Sequence, residues 1–542
     1  MPGDPRLPAR APHARFRTLG HRHVHGRSTR RGDQRLRAPR PRPRPARHRD
    51  PGGDGPAAGT HPGGGAVGGR RGGLTRGTDE GLDASFLYLE TPEQVMVING
   101  LVHLDVTTIE EGYSFERLRS GLARRVKAVP PFRRKVHDSP WNPGHPAWVE
   151  DFDFDITHHL RRIALGPAGT EDELLETCGR LASTPPDRAH PLWQVWIIER
   201  GDPHAPTVSA FCRVHHSVID GMLGAELLSA LAATDATTPD QDPALVRTHV
   251  GRANTLQLIA GGARDVLGRP LALLRLLPET LSVPAAMRRA RGRAGHGESM
   301  PAPFTAPRTL FNHSLTPHRA VATASLDLAS VKLVTARLGG TVNDVLLTVV
   351  GGAVRSYLEA HGDAPASSMV AIVPMSTRDD LATGGANQVS AMFASLATDV
   401  ADPVERYERI SAAAETTKRQ AASIRPALLD NWARMGPRRL LDMGMRAYEA
   451  LRLADVHPVI YNLIVSNVPG PRHALYFLGA RITHMHPFGP LLHGAGLSVT
   501  SLSTDGRLDL GVISCEHLVP DPDAVARGIT AALDELLELT AP

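Results

Sequence analysis

Seven consecutive residues, His215-His216-Ser217-Val218-Ile219-Asp220-Gly221, carry the side chains best suited to chemistry in this chain of 542 residues. A neutral imidazole can take a proton from a hydroxyl near physiological pH, and His216 is the candidate general base. His215 has a supporting role, tuning the loop or the tautomer of its neighbour. Asp220 can orient His216 or anchor the loop through an arginine, and Gly221 permits the tight backbone that closes it. His215, His216 and Asp220 are all metal-ligand types. Adjacent histidines diverge, however, and no third histidine follows at the spacing of a zinc-protease helix, so no metal is expected there. The pair His158-His159 has neither Asp nor Gly at the matching places and reads as structural.

Other polar groups are less specific. Gly339-Gly340-Thr341-Val342-Asn343-Asp344 opens a helix, where Asn343 and Asp344 occupy cap positions; the pair could also line a cleft. Pro191-Leu192-Trp193 places a large aromatic between a turn and a strand, suited to core packing or to a cleft wall. No GxSxG elbow or Walker loop is present, which argues against a serine hydrolase or an NTPase. Cys178, Cys212 and Cys515 stand far apart without CxxC spacing, as reduced thiols of a cytosolic protein do.

These side chains need a scaffold. The apolar run Ala210 to Val214 leads into the motif and an alanine- and leucine-rich run, Met222 to Ala232, leaves it, so the motif sits at a strand-to-helix junction. Residues 95–106 alternate like a strand, Tyr113 to Val129 reads as a helix, and Thr170-Glu171-Asp172-Glu173 is a capping box. Strands are expected at 193–198, 208–214, 370–375, 391–396, 460–467 and 497–504. Helices are expected at 331–338, 343–360 and 521–539. Interleaving of this kind predicts a layered α/β fold in two domains, divided as 81–240, a helical linker 241–307, and 308–542. The linker and a stretch at Leu428 to Leu453 have basic, apolar faces that could lie on a membrane surface or pack on a domain. No uninterrupted apolar run reaches the length of a membrane span.

Residues 1–80 are a class apart. Eighteen arginines against six acids, with dense proline and glycine, leave almost no apolar surface to bury, and the stretch is expected to be a disordered leader. It outweighs the net +5 of the whole chain, so the remainder carries about −7. The high pI thus belongs to the leader and is no sign of a nucleic-acid-binding body.

With its motifs in order, the chain resembles the bacterial wax ester synthase/diacylglycerol acyltransferase family, within the wider group of CoA-dependent acyltransferases. The shared segments are LDASFLYLE at 82–90, PLW at 191–193, HHSVIDG at 215–221, the Asn-Asp pair at 343–344, VPMSTR at 373–378, GANQVSAMF at 385–393, SNVPGP at 466–471 and LSTDGRLDLGV at 502–512. The resemblance implies two pseudo-symmetric chloramphenicol-acetyltransferase-like domains with an active-site tunnel between them. It implies His216 as the base, Asp220 as mainly structural with Arg378 as its candidate partner, and peripheral association with membranes or lipid inclusions. Acyl-CoA would be a co-substrate, with no further cofactor. The expected reaction moves a long-chain acyl group from acyl-CoA to diacylglycerol, or to a long-chain alcohol in wax ester synthesis. A polyketide or glycolipid acceptor, or a condensation-like protein that binds lipid without turnover, are the alternatives.

Overall fold

The computed structural model of this chain describes residues 81–218, 232, 255–264, 301, 304–375, 390–421 and 438–540, with short gaps inside these ranges. The chain divides into Met1–Arg71 and Gly72–Pro542, and all the described residues fall in the second unit. The expected leader, the expected helix 222–232 except Ala232, most of the expected linker 241–307, Asp220, Gly221 and Arg378 lie outside the described residues.

The first half runs α1 (Gly81–Leu89), β1 (Val97–Asp105), α2 (Phe115–Val126), β2 (Arg134–His137), β3 (Ala147–Glu150), β4 (Leu160–Ala164), α3 (Glu171–Ala182), β5 (Trp193–Arg200) and β6 (Thr207–His215). The second half runs β7 (Arg319–Asp327), α4 (Leu328–Leu338), α5 (Val342–Ala360), β8 (Val370–Met375), β9 (Ser390–Ser395), α6 (Pro403–Ala421) and α7 (Arg438–Ala450). It continues through β10 (Leu463–Pro469), β11 (Tyr476–Phe477), β12 (Ala480–Phe488), β13 (Leu497–Thr504) and β14 (Arg507–Cys515) to α8 (Pro522–Leu539). Two mixed six-stranded sheets result, in the orders β11-β12-β1-β6-β5-β4 and β7-β14-β13-β10-β8-β9. The layered α/β architecture expected from the interleaved pattern is thus the one observed.

Both expected helix starts are reciprocal capping boxes, Thr170 with Glu173 and Thr341 with Asp344. In each, the Thr side chain accepts from the backbone N–H three residues on while the acidic side chain reaches back to the Thr N–H. Helix α5 is apolar on nearly every side because it is buried: Val345, Leu346, Leu347, Val349 and Val350 are each at most 1% exposed. A Cβ on its Gly351 would lie 2.5 Å from the Leu396 carbonyl oxygen, so only glycine lets the helix approach the end of β9.

The halves are joined by exchange. β11 and β12 come from the second half, yet β12 pairs antiparallel with β1 across Asn99–Asp105 and completes the first sheet. Beside it, β14 belongs to the second sheet. The two strands touch backbone to backbone, since a Cβ on Gly511 would lie 2.0 Å from the Pro487 carbonyl oxygen. Among the described residues no single helix is long and apolar enough to cross a membrane.

Candidate active site

Strand β6 delivers the motif. Its last residue, His215, is fully buried, and its backbone N–H donates to the Leu192 carbonyl at 2.9 Å. The next backbone N–H, of His216, donates to the Met96 carbonyl at 2.8 Å, and Val218 N–H turns back onto His215 O at 2.9 Å. The histidine pair is therefore gripped by two neighbouring segments as it leaves the sheet. Side chains alternate across a strand, and the two rings diverge accordingly: His215 is buried, while His216 is half-buried.

The tautomer of His215 is set by its surroundings. Its Nδ1 accepts from the Ser217 N–H at 3.1 Å and lies 2.7 Å from Ser217 Oγ. The proton is therefore on Nε2, which stands 3.0 Å from Glu90 Oε2, at ion-pair distance though off the line of an ideal hydrogen bond. Glu90 also takes Arg188 Nη2 at 3.0 Å and the Met96 N–H at 3.3 Å. Burial raises the Glu90 carboxyl, but the bonds and charges of His215 and Arg188 outweigh it and hold it below the usual carboxylate range.

Phe86 stacks on the His216 ring with centroids 4.0 Å apart and planes at 26°. Phe86 and Glu90 are four residues apart, the spacing of one helix face, so α1 and its C-terminal neighbour reach both histidines. Reading the motif alone passes over Glu90. The signal that could have found it is the i,i+4 pair Phe86–Glu90 within LDASFLYLE.

A second polar group backs the motif. Arg213 lies directly across from Asn99 on β1 and Gln194 on β5. Its guanidinium donates to Asn99 Oδ1 at 3.4 Å, to Gln194 Oε1 at 3.1 Å and to the Thr184 carbonyl. Burial lowers its pKa to about 10, with Glu90 opposing the shift. Arg213 and His215 are two apart on β6 and so share a face, which gives that end of the strand a buried, hydrogen-bonded polar edge.

The remaining candidates fall into place by burial. Pro191, Leu192 and Trp193 are all buried. The Trp193 ring is core: its Nε1 donates to the Phe132 carbonyl at 2.8 Å, and it stacks between Phe132 and His159, with centroids at 4.9 and 4.4 Å. PLW thus supports the motif from behind through Leu192 O. His159 is part of this packing; its Nδ1–H donates to Trp193 O at 2.8 Å, and burial lowers its pKa to about 4. Asp344 is buried and caps α5, receiving Thr341 N–H at 2.7 Å and Thr341 Oγ1–H at 2.9 Å. Asn343, in the same turn, is half-buried. Burial pushes the Cys212 thiol up to about 12, which makes it a poor nucleophile.

Comparison with known proteins shows the family. The family model described as the wax ester synthase/diacylglycerol acyltransferase catalytic domain matches residues 80–346, and the C-terminal domain of the same family matches 385–537. A Mycobacterium tuberculosis protein, Rv1760, which carries the provisional name diacylglycerol O-acyltransferase, is 42% identical over 458 residues, covering 84% of this chain and 89% of its own. Rv0221 of the same organism, with the same provisional name, is 31% identical, covering 84% and 95%. Among solved structures, the wax ester synthase/diacylglycerol acyltransferase from Marinobacter aquaeolei VT8 shares the fold, with a TM-score of 0.59 at 24% identity over 85% of this chain and 98% of that one. Matched by both family models over most of its length and by relatives at 31–42% identity, the chain belongs to the wax ester synthase/diacylglycerol acyltransferase family.

Proposed function

We propose that this protein is an O-acyltransferase that moves a long-chain fatty acyl group from acyl-CoA to the hydroxyl of diacylglycerol, with long-chain alcohols as second acceptors. The observation that carries the reading is the environment of His216: half-buried, pinned through its backbone to Met96 and braced by Phe86, with its Nδ1 buried. Nε2 is then the nitrogen that takes the acceptor's hydroxyl proton as that oxygen attacks the thioester carbonyl. The C–O bond forms, the C–S bond breaks, and the proton passes to the departing CoA sulfur. A thiol is a good leaving group, so no covalent enzyme intermediate and no cofactor beyond acyl-CoA are required.

In this scheme His215 is a positioning residue. Its Nε2–H faces the Glu90 carboxylate and its Nδ1 holds the turn through Ser217, so the backbone that carries His216 is fixed. Asp220, Gly221, Arg378 and Asn343 keep the supporting roles expected of them, as does the division at 240 and 307, with the β11–β12 hairpin crossing between the halves. Association with a lipid surface fits α7, which exposes Leu441 and Met443 beside Arg446 and packs against α1. Lipid acceptors would thus reach the enzyme on the side of the helix that braces His216.

The test is CoA release by purified protein from palmitoyl-CoA offered with diacylglycerol, hexadecanol or water alone. Acceptor-dependent release that His216→Ala removes supports the reading. Equal release without any alcohol would make the protein a thioesterase.

A further inference from the structure

A histidine and carboxylate cluster lies at the opposite end of the seam from His216. β12 carries His484-Met485-His486; residues two apart share a strand face, so both imidazoles project together while Met485 turns into the core. From the second sheet, β14 brings Asp509, which is fully buried. One ligand atom from each of the three lies within 4.8 Å of the others. His103 of β1, directly across from His484 in the ladder, closes the cluster edge-on, its ring centroid 6.1 Å from that of His484 and 5.7 Å from that of His486. The ladder also fixes the distance from the reaction centre. His103 pairs with Ser209 and Val97 with His215, six residues of strand, or roughly 20 Å.

We propose that His484, His486 and Asp509 form a site for a divalent transition-metal ion of the zinc class, tying the exchanged hairpin of the first sheet to the second sheet. The spacing fits: His484 Nδ1 and Asp509 Oδ1 are 3.2 Å apart, the separation that two metal–ligand bonds of about 2.0–2.2 Å subtend near the tetrahedral angle. The outer partners fit as well. His486 Nδ1–H donates to the Leu510 carbonyl at 3.0 Å, which leaves Nε2 as that ring's lone-pair donor. Asp509 is held by Ser325 Oγ–H at 2.7 Å and by Met485 N–H at 2.8 Å. Backbone-carbonyl and hydroxyl partners of this kind orient ligands in metal sites.

Two imidazoles and one carboxylate suit zinc and its neighbours in the first transition row and not the all-oxygen preference of magnesium or calcium. Three protein ligands leave a fourth position for water. Because the cluster joins strands of both sheets, an ion there would strengthen the join rather than take part in acyl transfer.

The experiment uses the full-length protein, stripped with chelator and titrated with Zn²⁺ against a competing chelator, in parallel with His484→Gln, His486→Gln and Ser325→Ala. The arginine-rich leader holds His21, His23 and His25, so the reading is the difference between wild type and variants. The expected result is one tight equivalent in wild type, absent from both histidine variants and weakened about 10-fold or more by Ser325→Ala. Zn²⁺ should also raise the thermal midpoint of wild type and not that of His486→Gln. Co²⁺ should give visible ligand-field bands in folded wild type, a readout that does not depend on how well a variant folds. Equal uptake by wild type and His486→Gln, an adventitious ion only, would overturn the proposal. So would a wild type whose Co²⁺ spectrum and midpoint match those of the metal-free protein.

Discussion

The layer where α5 and α8 cover the second sheet and the corner where α1, β5 and β6 meet are built on opposite principles. In the first, Val345, Leu346, Val349, Val350, Val525, Ile529 and Leu536 fill the space with apolar side chains that are each at most 1% exposed. In the second, Glu90, Arg188, Arg213 and His215 place charge and hydrogen-bonding groups against the sheet. Burying charge is expensive unless every group is paired, and each of these groups has a named partner. An apolar layer supplies stability that does not depend on geometry to a few tenths of an ångström. A paired polar corner supplies fixed positions, which a reacting group needs and a core does not.

The comparison predicts that mutations in the two places separate activity from stability. The largest effect is at His216→Ala, where loss of a general base should lower kcat about 10²–10⁴-fold with little change in thermal midpoint, since the ring is only half-buried. The measurement is steady-state CoA release beside calorimetry. A variant that keeps wild-type turnover would break the assignment of the corner as the reacting region. The converse change is Leu347→Ala in α5, 1% exposed. It should destabilise the protein by about 2–5 kcal/mol and leave kcat per folded molecule unchanged.

Glu90→Gln probes whether the polar corner positions or merely packs. A hydrogen bond to a charged group is worth about 1.5–3 kcal/mol, so a tenfold to hundredfold fall in kcat with KM nearly constant is expected. Glu90→Asp should restore part of it. A loss of stability with kcat intact would show the pair to be structural only.

What the sequence disclosed follows the same division. Wherever one residue pattern had one physical meaning, it was legible: the capping box at Thr170, the long apolar α5, and strands β8 and β13, which the structure places at the residues expected. Glu90 was not, because its role exists only when α1 folds back on β6, a contact between residues 125 positions apart. β12 and β14 were passed over for a different reason. Thr483-His484-Met485-His486-Pro487 has little apolar alternation, and it becomes a strand because β1, nearly 400 residues away in sequence, pairs along it. Asp344 could be read as a cap or as a cleft residue; the structure shows the capping bonds.

Two imidazoles, buried His159 and half-buried His493, give a pH test of smaller size. Burial lowers both His159 and His493 from about 6.5 to about 4. Between those values the unfolded chain binds protons that the folded chain refuses, so stability is full above pH 6.5 and is lost progressively as pH falls toward 4. At pH 5.5 the loss should be about 1.4 kcal/mol for each. His159→Phe keeps the stack on Trp193 and removes one titrating group, so its midpoint should fall less steeply with pH than that of wild type. An unchanged slope would mean that His159 takes up its proton in the folded state.

The smallest effects come from the two capping boxes, which have the same chemistry in unlike surroundings. Replacing an N-cap Thr with Ala costs about 0.5–2 kcal/mol. Thr170 and Glu173 are exposed, and water can take over the freed N–H groups, so Thr170→Ala should fall at the low end. Asp344 is 2% exposed, and its carboxylate accepts both the N–H and the Oγ1–H of Thr341. Thr341→Ala removes one of those two bonds from a buried charge, beside a Tyr407 hydroxyl already committed to the Gly339 carbonyl. It should therefore reach the upper end of the range. Equal shifts in thermal midpoint for the two variants would mean that solvent reaches the first turn of α5 as freely as that of α3, and that Asp344 is less sequestered than its burial indicates.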